Sequence, residues 1–148
     1  MISTDKQDVY NNYDSVYHWF ETQIILDKAY DGNDVKVAQV TNIFQYIDSE
    51  HNPKVVIINH LNDCTVVKDV KDGFYLECCD MNLDTIKTSF TDMLEKVAES
   101  NCVKPKTKYI TLRNPLGPVR TDAFWIWGTG DLWINAKTGE ISMFKALK

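Results

Sequence analysis

The chain has 148 residues, 44% of them hydrophobic and 11% aromatic, a length and composition that suit one globular domain with a sizeable core. No apolar run approaches the roughly 18 residues needed to span a membrane, and the start, Met1 to Asp8, lacks the basic and apolar blocks of a secretory signal. A net charge of −5 with only two arginines argues against nucleic-acid binding, which draws its affinity from counterion release by basic side chains. These features lead us to expect a single cytoplasmic domain over residues 1–148.

The charge is unevenly placed. Residues 1–34 carry Asp5, Asp8, Asp14, Glu21, Asp27, Asp31 and Asp34 against Lys6 and Lys28, an excess of five negatives, and the rest of the chain balances. This concentration reads either as a solvated face or as a patch for a basic partner.

In chain order, Thr4 and Gln7 stand at capping-box spacing. Val9, Tyr13, Val16, Tyr17, Phe20 and Ile24 recur at steps of three and four, which predicts an N-terminal amphipathic helix. Asp8, Asp14, His18 and Glu21 fall on its opposite side, with Trp19 among them. Asp31-Gly32-Asn33-Asp34 is a turn. Val35 to Ile47 is rich in β-branched residues, yet Val37, Val40, Phe44 and Ile47 follow a helical step, so a second helix is expected there. The continuous apolar run Val55-Val56-Ile57-Ile58 suggests a central strand, Lys54–His60. Thr65–Val70 and Phe74–Cys79 read as the next strands, joined at Lys71-Asp72-Gly73. Asn82 is a plausible cap for a helix whose apolar stripe is Leu83, Ile86, Phe90, Met93, Leu94 and Val97.

After a basic linker comes the strand Tyr109–Arg113, then the irregular Asn114-Pro115-Leu116-Gly117-Pro118, where two prolines remove donors. Val119–Trp127, Asp131–Asn135 and Glu140–Phe144 read as a closing meander. Three of the four tryptophans, Trp125, Trp127 and Trp133, lie here around Gly128-Thr129-Gly130. Within the meander, Phe124 and Ile126 should face one way and Trp125 and Trp127 the other. The expected fold is therefore α+β: a mostly antiparallel, curled sheet of about 6–7 strands with two or three helices on one side. Asp131 to Ile141, with its Lys137-Thr138-Gly139 turn, resembles the closing hairpin of many small α+β domains, among them bacterial immunity-type and nuclear-transport-factor-like cone folds. The resemblance rests on turn chemistry that many proteins share.

Chemistry is thin. His60-Leu61-Asn62-Asp63-Cys64 gathers a base, a carboxylate and a thiol, but in a turn with no feature to lower the thiol pKa. Cys64, Cys78, Cys79 and Cys102 show no metal-ligand spacing, and the scattered His18, His51 and His60 add none. The cysteines read as structural thiols, and no metal, cofactor or catalytic set is assigned. Nor do the six glycines form a phosphate loop.

Two binding sites remain. The leading expectation is a small inhibitor or immunity-type protein whose acidic N-terminal helix, through Asp8, Tyr10, Asp14, His18, Trp19 and Glu21, meets a basic protein such as a nuclease toxin. The alternative is a cone-shaped ligand-binding or enzymatic fold with a pocket of Tyr109, Arg120, Asp122, Trp125, Trp127 and Trp133. A structural protein of a phage or mobile element is a further alternative, which would self-associate.

Overall fold

In the computed structural model, which describes residues 5, 17–75, 81–100, 105–115 and 122–142, the β-branched and aromatic residues pair into one eight-stranded antiparallel sheet. The first four strands are β1 (Tyr17–Leu26), β2 (Val37–Ile47), β3 (Pro53–Leu61) and β4 (Val66–Asp72). A connection containing a 3-10 turn (Leu83–Thr85) and the helix α1 (Phe90–Glu99) leads to β5 (Tyr109–Arg113), β6 (Phe124–Trp127), β7 (Leu132–Asn135) and β8 (Ile141–Ser142).

The spatial order is β4-β3-β2-β1-β5-β6-β7-β8. Two meanders therefore meet side by side where β1 pairs with β5. The sheet is open, with β4 and β8 at its edges. This corrects the expected architecture, since the described residues form eight strands rather than six or seven. Among the described residues there is one ten-residue α-helix rather than two or three.

Both misassigned helices turn on β-bulges. Trp19 pairs with Phe44 and Glu21 with Ile43, leaving Phe20 as an extra residue in β1. Ile25 pairs with Gln39 and Leu26 with Val37, leaving Ala38 extra in β2. A bulge shifts the side-chain alternation by one residue. Core-facing residues therefore fall at Trp19 and Thr22 on β1, and at Val37 and Val40 on β2, which are the steps of three that a helix would also give. The N-terminal helix predicted through Ile24 is thus a strand from Tyr17 onward, and its start lies outside the described residues, apart from Asp5. Val37–Ile47 is likewise a strand.

Val55–Ile58 belongs to β3, which lies one strand in from the edge rather than at the centre. The centre of the sheet is β1 beside β5. Of the strand expected at Phe74–Cys79, Phe74 and Tyr75 are not in a strand and the remainder lies outside the described residues. The later expectations hold closely for β5 and β7. β6 and β8 are shorter than expected, since Asp122, Ala123 and Glu140 are described and lie outside a strand.

One face of the sheet carries the core. By register, Ile24, Ile110 and Trp127 lie in one row across β1, β5 and β6, and Thr22, Leu112 and Trp125 in the next. The row of Trp125 continues through Ile134 on β7. α1 crosses this face. Asn82, expected to cap the helix, caps only the 3-10 turn, by accepting from the Asp84 N–H. α1 itself starts at a capping box between Ser89 and Asp92. Its buried residues are Met93 and Val97, each contributing about 1.5–3 kcal/mol of apolar burial.

The tryptophans hold the connection in place. Trp125 Nε1 donates to Thr88 O at 2.9 Å and Trp127 Nε1 to Met93 Sδ at 3.2 Å. The Phe90 ring lies 5.8 Å from that of Trp125. Just before the helix, the Lys87 and Thr88 N–H groups both donate to Ala136 O. At the other end of the connection, the Met81 N–H donates to Trp19 O at 2.7 Å. Met81 so takes the place beside β1 that β5 leaves beyond Arg113.

Candidate functional site

A cavity of about 440 Å³ lies between the core face and the segment leading into α1. β1 supplies Thr22 and Ile24, β2 supplies Val37 and Val40, and β5 and β6 supply Leu112 and Trp125. Leu83, Ile86, Ser89 and Phe90 form the opposite wall. Among the described residues, only Thr22 and Ser89 bring polar side chains. The second bulge turns both Val37 and Val40 toward this space, so the irregularity in β2 shapes the wall. A volume in the range of small-molecule sites, with apolar walls and few polar groups, suits a ligand held by burial.

The polar groups of the wall are already engaged. The Ser89 hydroxyl accepts from the Asp92 N–H at 3.1 Å as the helix cap. Thr22 belongs to a buried chain of side chains that runs away from the cavity. Trp19 Nε1 donates to Thr22 Oγ1 at 3.1 Å, and Thr22 Oγ1 donates to Asn42 Oδ1 at 2.5 Å. Asn42 Nδ2 in turn donates to Asp5 Oδ2 at 2.5 Å. His60 Nε2 completes the chain, 2.8 Å from both carboxylate oxygens of Asp5. Asp5, Thr22 and Asn42 are buried. Satisfied chains of this kind fix one arrangement, because each member left unpaired in a low dielectric would cost free energy.

Among residues expected at a partner surface, Trp19 is 1% exposed and Glu21 is buried. Trp19 thus belongs to the core instead of lying beside carboxylates on a helix. Glu21 Oε2 accepts from the Tyr75 hydroxyl at 2.5 Å and from Gln23 Nε2 at 2.7 Å, and Arg113 Nε lies 4.0 Å from Oε1. His18 is exposed. Asp8, Tyr10 and Asp14 lie outside the described residues. With Asp5 and Glu21 turned inward, two of the seven acids of residues 1–34 leave the surface.

Of the described residues of the expected tryptophan pocket, only Trp125 lines the cavity. Trp127 is fully buried, with the Tyr30 ring at 5.0 Å. Trp133 lies on the other face of the sheet, where its ring meets Phe124 edge-on at 5.7 Å and its Nε1 donates to Gly130 O. Tyr109 is 53% exposed on that same face, and Asp122 accepts from Asn135 Nδ2 at 3.2 Å. Arg120 lies outside the described residues. The expected alternation of Phe124 and Ile126 against Trp125 and Trp127 does follow the register.

His60 and Cys64 do not form a pair. The His60 Nε2 is held by Asp5, and Cys64 is exposed in the β3–β4 turn with φ of 67°. Among the described residues, no group of three or more His, Cys, Asp or Glu is placed to hold a metal ion. None of the described helices is long and apolar enough to cross a membrane.

No family model, curated protein or solved structure matches this chain. The site is therefore read from its geometry alone.

Proposed function

We propose that this chain binds a small apolar molecule between the core face of its sheet and the segment leading into α1. The observation that carries the reading is the 440 Å³ cavity walled by Ile24, Val37, Val40, Leu112, Trp125 and Phe90. The ligand class follows from the walls: a compact, largely uncharged compound, since among the described residues no ionised side chain lines the cavity to meet a formal charge. Burial of apolar area would supply most of the affinity. Ligands of this size class gain about 0.3 kcal/mol per heavy atom, which corresponds to roughly micromolar binding.

The expected basic protein partner draws less support. Of the six residues expected to meet it, Trp19 and Glu21 are buried and His18 is exposed, while Asp8, Tyr10 and Asp14 lie outside the described residues.

The test uses N-phenylnaphthylamine, an apolar probe that fluoresces when removed from water. The expected result is saturable fluorescence that is lost in Val40→Trp, a substitution that fills the cavity from its half-buried wall, while the circular dichroism spectrum is unchanged. Equal probe binding by Val40→Trp, or no saturable binding by the parent chain, would refute the proposal.

A further inference from the structure

The segment that walls the cavity opposite the sheet is fastened at two places. At its start the Met81 N–H donates to Trp19 O, beside β1. At its end the Lys87 and Thr88 N–H groups donate to Ala136 O, and Thr88 O accepts from Trp125 Nε1. Residues 82–86 lie between these fastenings. Each hydrogen bond they make is to one another: the Asp84 N–H donates to Asn82 Oδ1, the Thr85 N–H and hydroxyl both donate to Asn82 O, and the Ile86 N–H donates to Leu83 O. Asn82, Asp84 and Thr85 are exposed, whereas Leu83 and Ile86 are half-buried and line the cavity.

We propose that residues 82–86 form a lid over the cavity, hinged at Asn82 and Ile86, which opens to admit the apolar ligand, a device that presupposes the ligand reading of that cavity. Opening breaks neither fastening and no hydrogen bond to the sheet. Its cost is the exposure of Leu83 and Ile86 to water, and segments with few buried apolar contacts open most readily. Both hinge residues are extended, Asn82 at φ −108° and ψ 123° and Ile86 at φ −84° and ψ 94°. They sit in or beside the broad β region, where both dihedrals can change without a steric barrier.

The other routes into the cavity cost more. Moving α1 would break the bond from Trp127 to Met93 Sδ and bare Met93 and Val97, which are fully buried. Parting the strands would break the ladders of β1 with β2 and β5. On the sheet wall Ile24, Leu112 and Trp125 are buried, so the closed state keeps water from the surface that a ligand would cover. A bound apolar ligand that touches Leu83 and Ile86 favours the closed state in turn.

The test needs no ligand. Ile24→Cys places a thiol on the sheet wall of the cavity, and Val56→Cys places one at a fully buried position of β3 that does not line it. Alkylation by iodoacetamide is followed at each position by peptide mass spectrometry, with the exposed Cys64 as the fast reference. The thiol at position 24 should react about tenfold or more slowly than Cys64, because it waits for local opening. Asn82→Gly gives one hinge the freedom of glycine and should speed that reaction about threefold, with position 56 unchanged. Leu112→Cys, on the same wall, repeats the measurement, and thermal melts verify the fold of each variant. A thiol at position 24 that reacts as fast as Cys64, a rate that Asn82→Gly leaves unmoved, or equal acceleration at position 56 would overturn the lid. A chain that binds no N-phenylnaphthylamine would overturn the ligand reading instead, since the alkylation rates are measured without it.

Discussion

Asn42 sits at the middle of the buried chain from Trp19 to His60, donating to Asp5 and accepting from Thr22. Replacing it with alanine leaves a carboxylate and a hydroxyl without that partner inside the fold. The expected loss is about 1–3 kcal/mol of stability, read from urea unfolding midpoints. A change within a few tenths of a kcal/mol would mean that the chain contributes little. Tyr30 gives a second test at this scale. Burial holds its phenol above the usual 10.0, and the negative charge of Asp31 adds to the shift. A folded-state pKa above the unfolded value means that this stabilisation is complete below about pH 10 and is lost as pH rises through the folded pKa. Tyr30→Phe should therefore lose less stability than the parent between about pH 9 and pH 11, and parallel curves would exclude the phenol as a cause. Neither feature was legible in the sequence. Asp5, Asn42 and His60 are 37 and 55 positions from their partners, and only the fold brings them together.

At the level of elements, α1 starts at its own Ser89 cap and is tied to the sheet by two indole donors, Trp125 to Thr88 O just before it and Trp127 to Met93 Sδ. Ser89→Ala removes the hydroxyl that accepts from the Asp92 N–H and should cost about 1 kcal/mol. The loss should appear as faster amide exchange in the first turn of α1, and unchanged exchange there would show the cap to be dispensable. β5 was read at its observed limits, and of the expected stripe Phe90, Met93, Leu94 and Val97 lie in α1, whereas Leu83 and Ile86 precede it. The bulge in β2 hid that strand, because one extra residue turns a period of two into the step of three from Val37 to Val40, whereas in β1 the expected helical stripe ran through Phe20, the bulged residue, and left the core residue Trp19 on the polar side. The cavity was hidden for another reason. Ile24 was read on the apolar face of a helix and Val40 on a helical step, but the space beside them exists because Leu83, Ile86 and Phe90 cross the sheet from a distant part of the chain. Trp125 was expected in the alternative pocket and lines the cavity.

For the whole molecule, the open sheet sets the cavity apart from the β4 edge. The cavity is built on β1, β2, β5 and β6, whereas β4 lies at one edge, with β3 intervening. β4 supplies no residue of the cavity wall, so a substitution on its exposed surface should not change affinity in the cavity. Lys71→Glu should accordingly bind N-phenylnaphthylamine as the parent does, and a changed affinity would reveal coupling through β3. The most direct test of the apolar ligand site is a methyl-resolved NMR titration of the full chain with N-phenylnaphthylamine. The expected result is saturable shifts confined to the methyls of Ile24, Val37, Val40, Ile86 and Leu112, with those of Val55 and Ile57 on the other face unmoved. Shifts confined to that other face, or no saturable shifts at all, would contradict it.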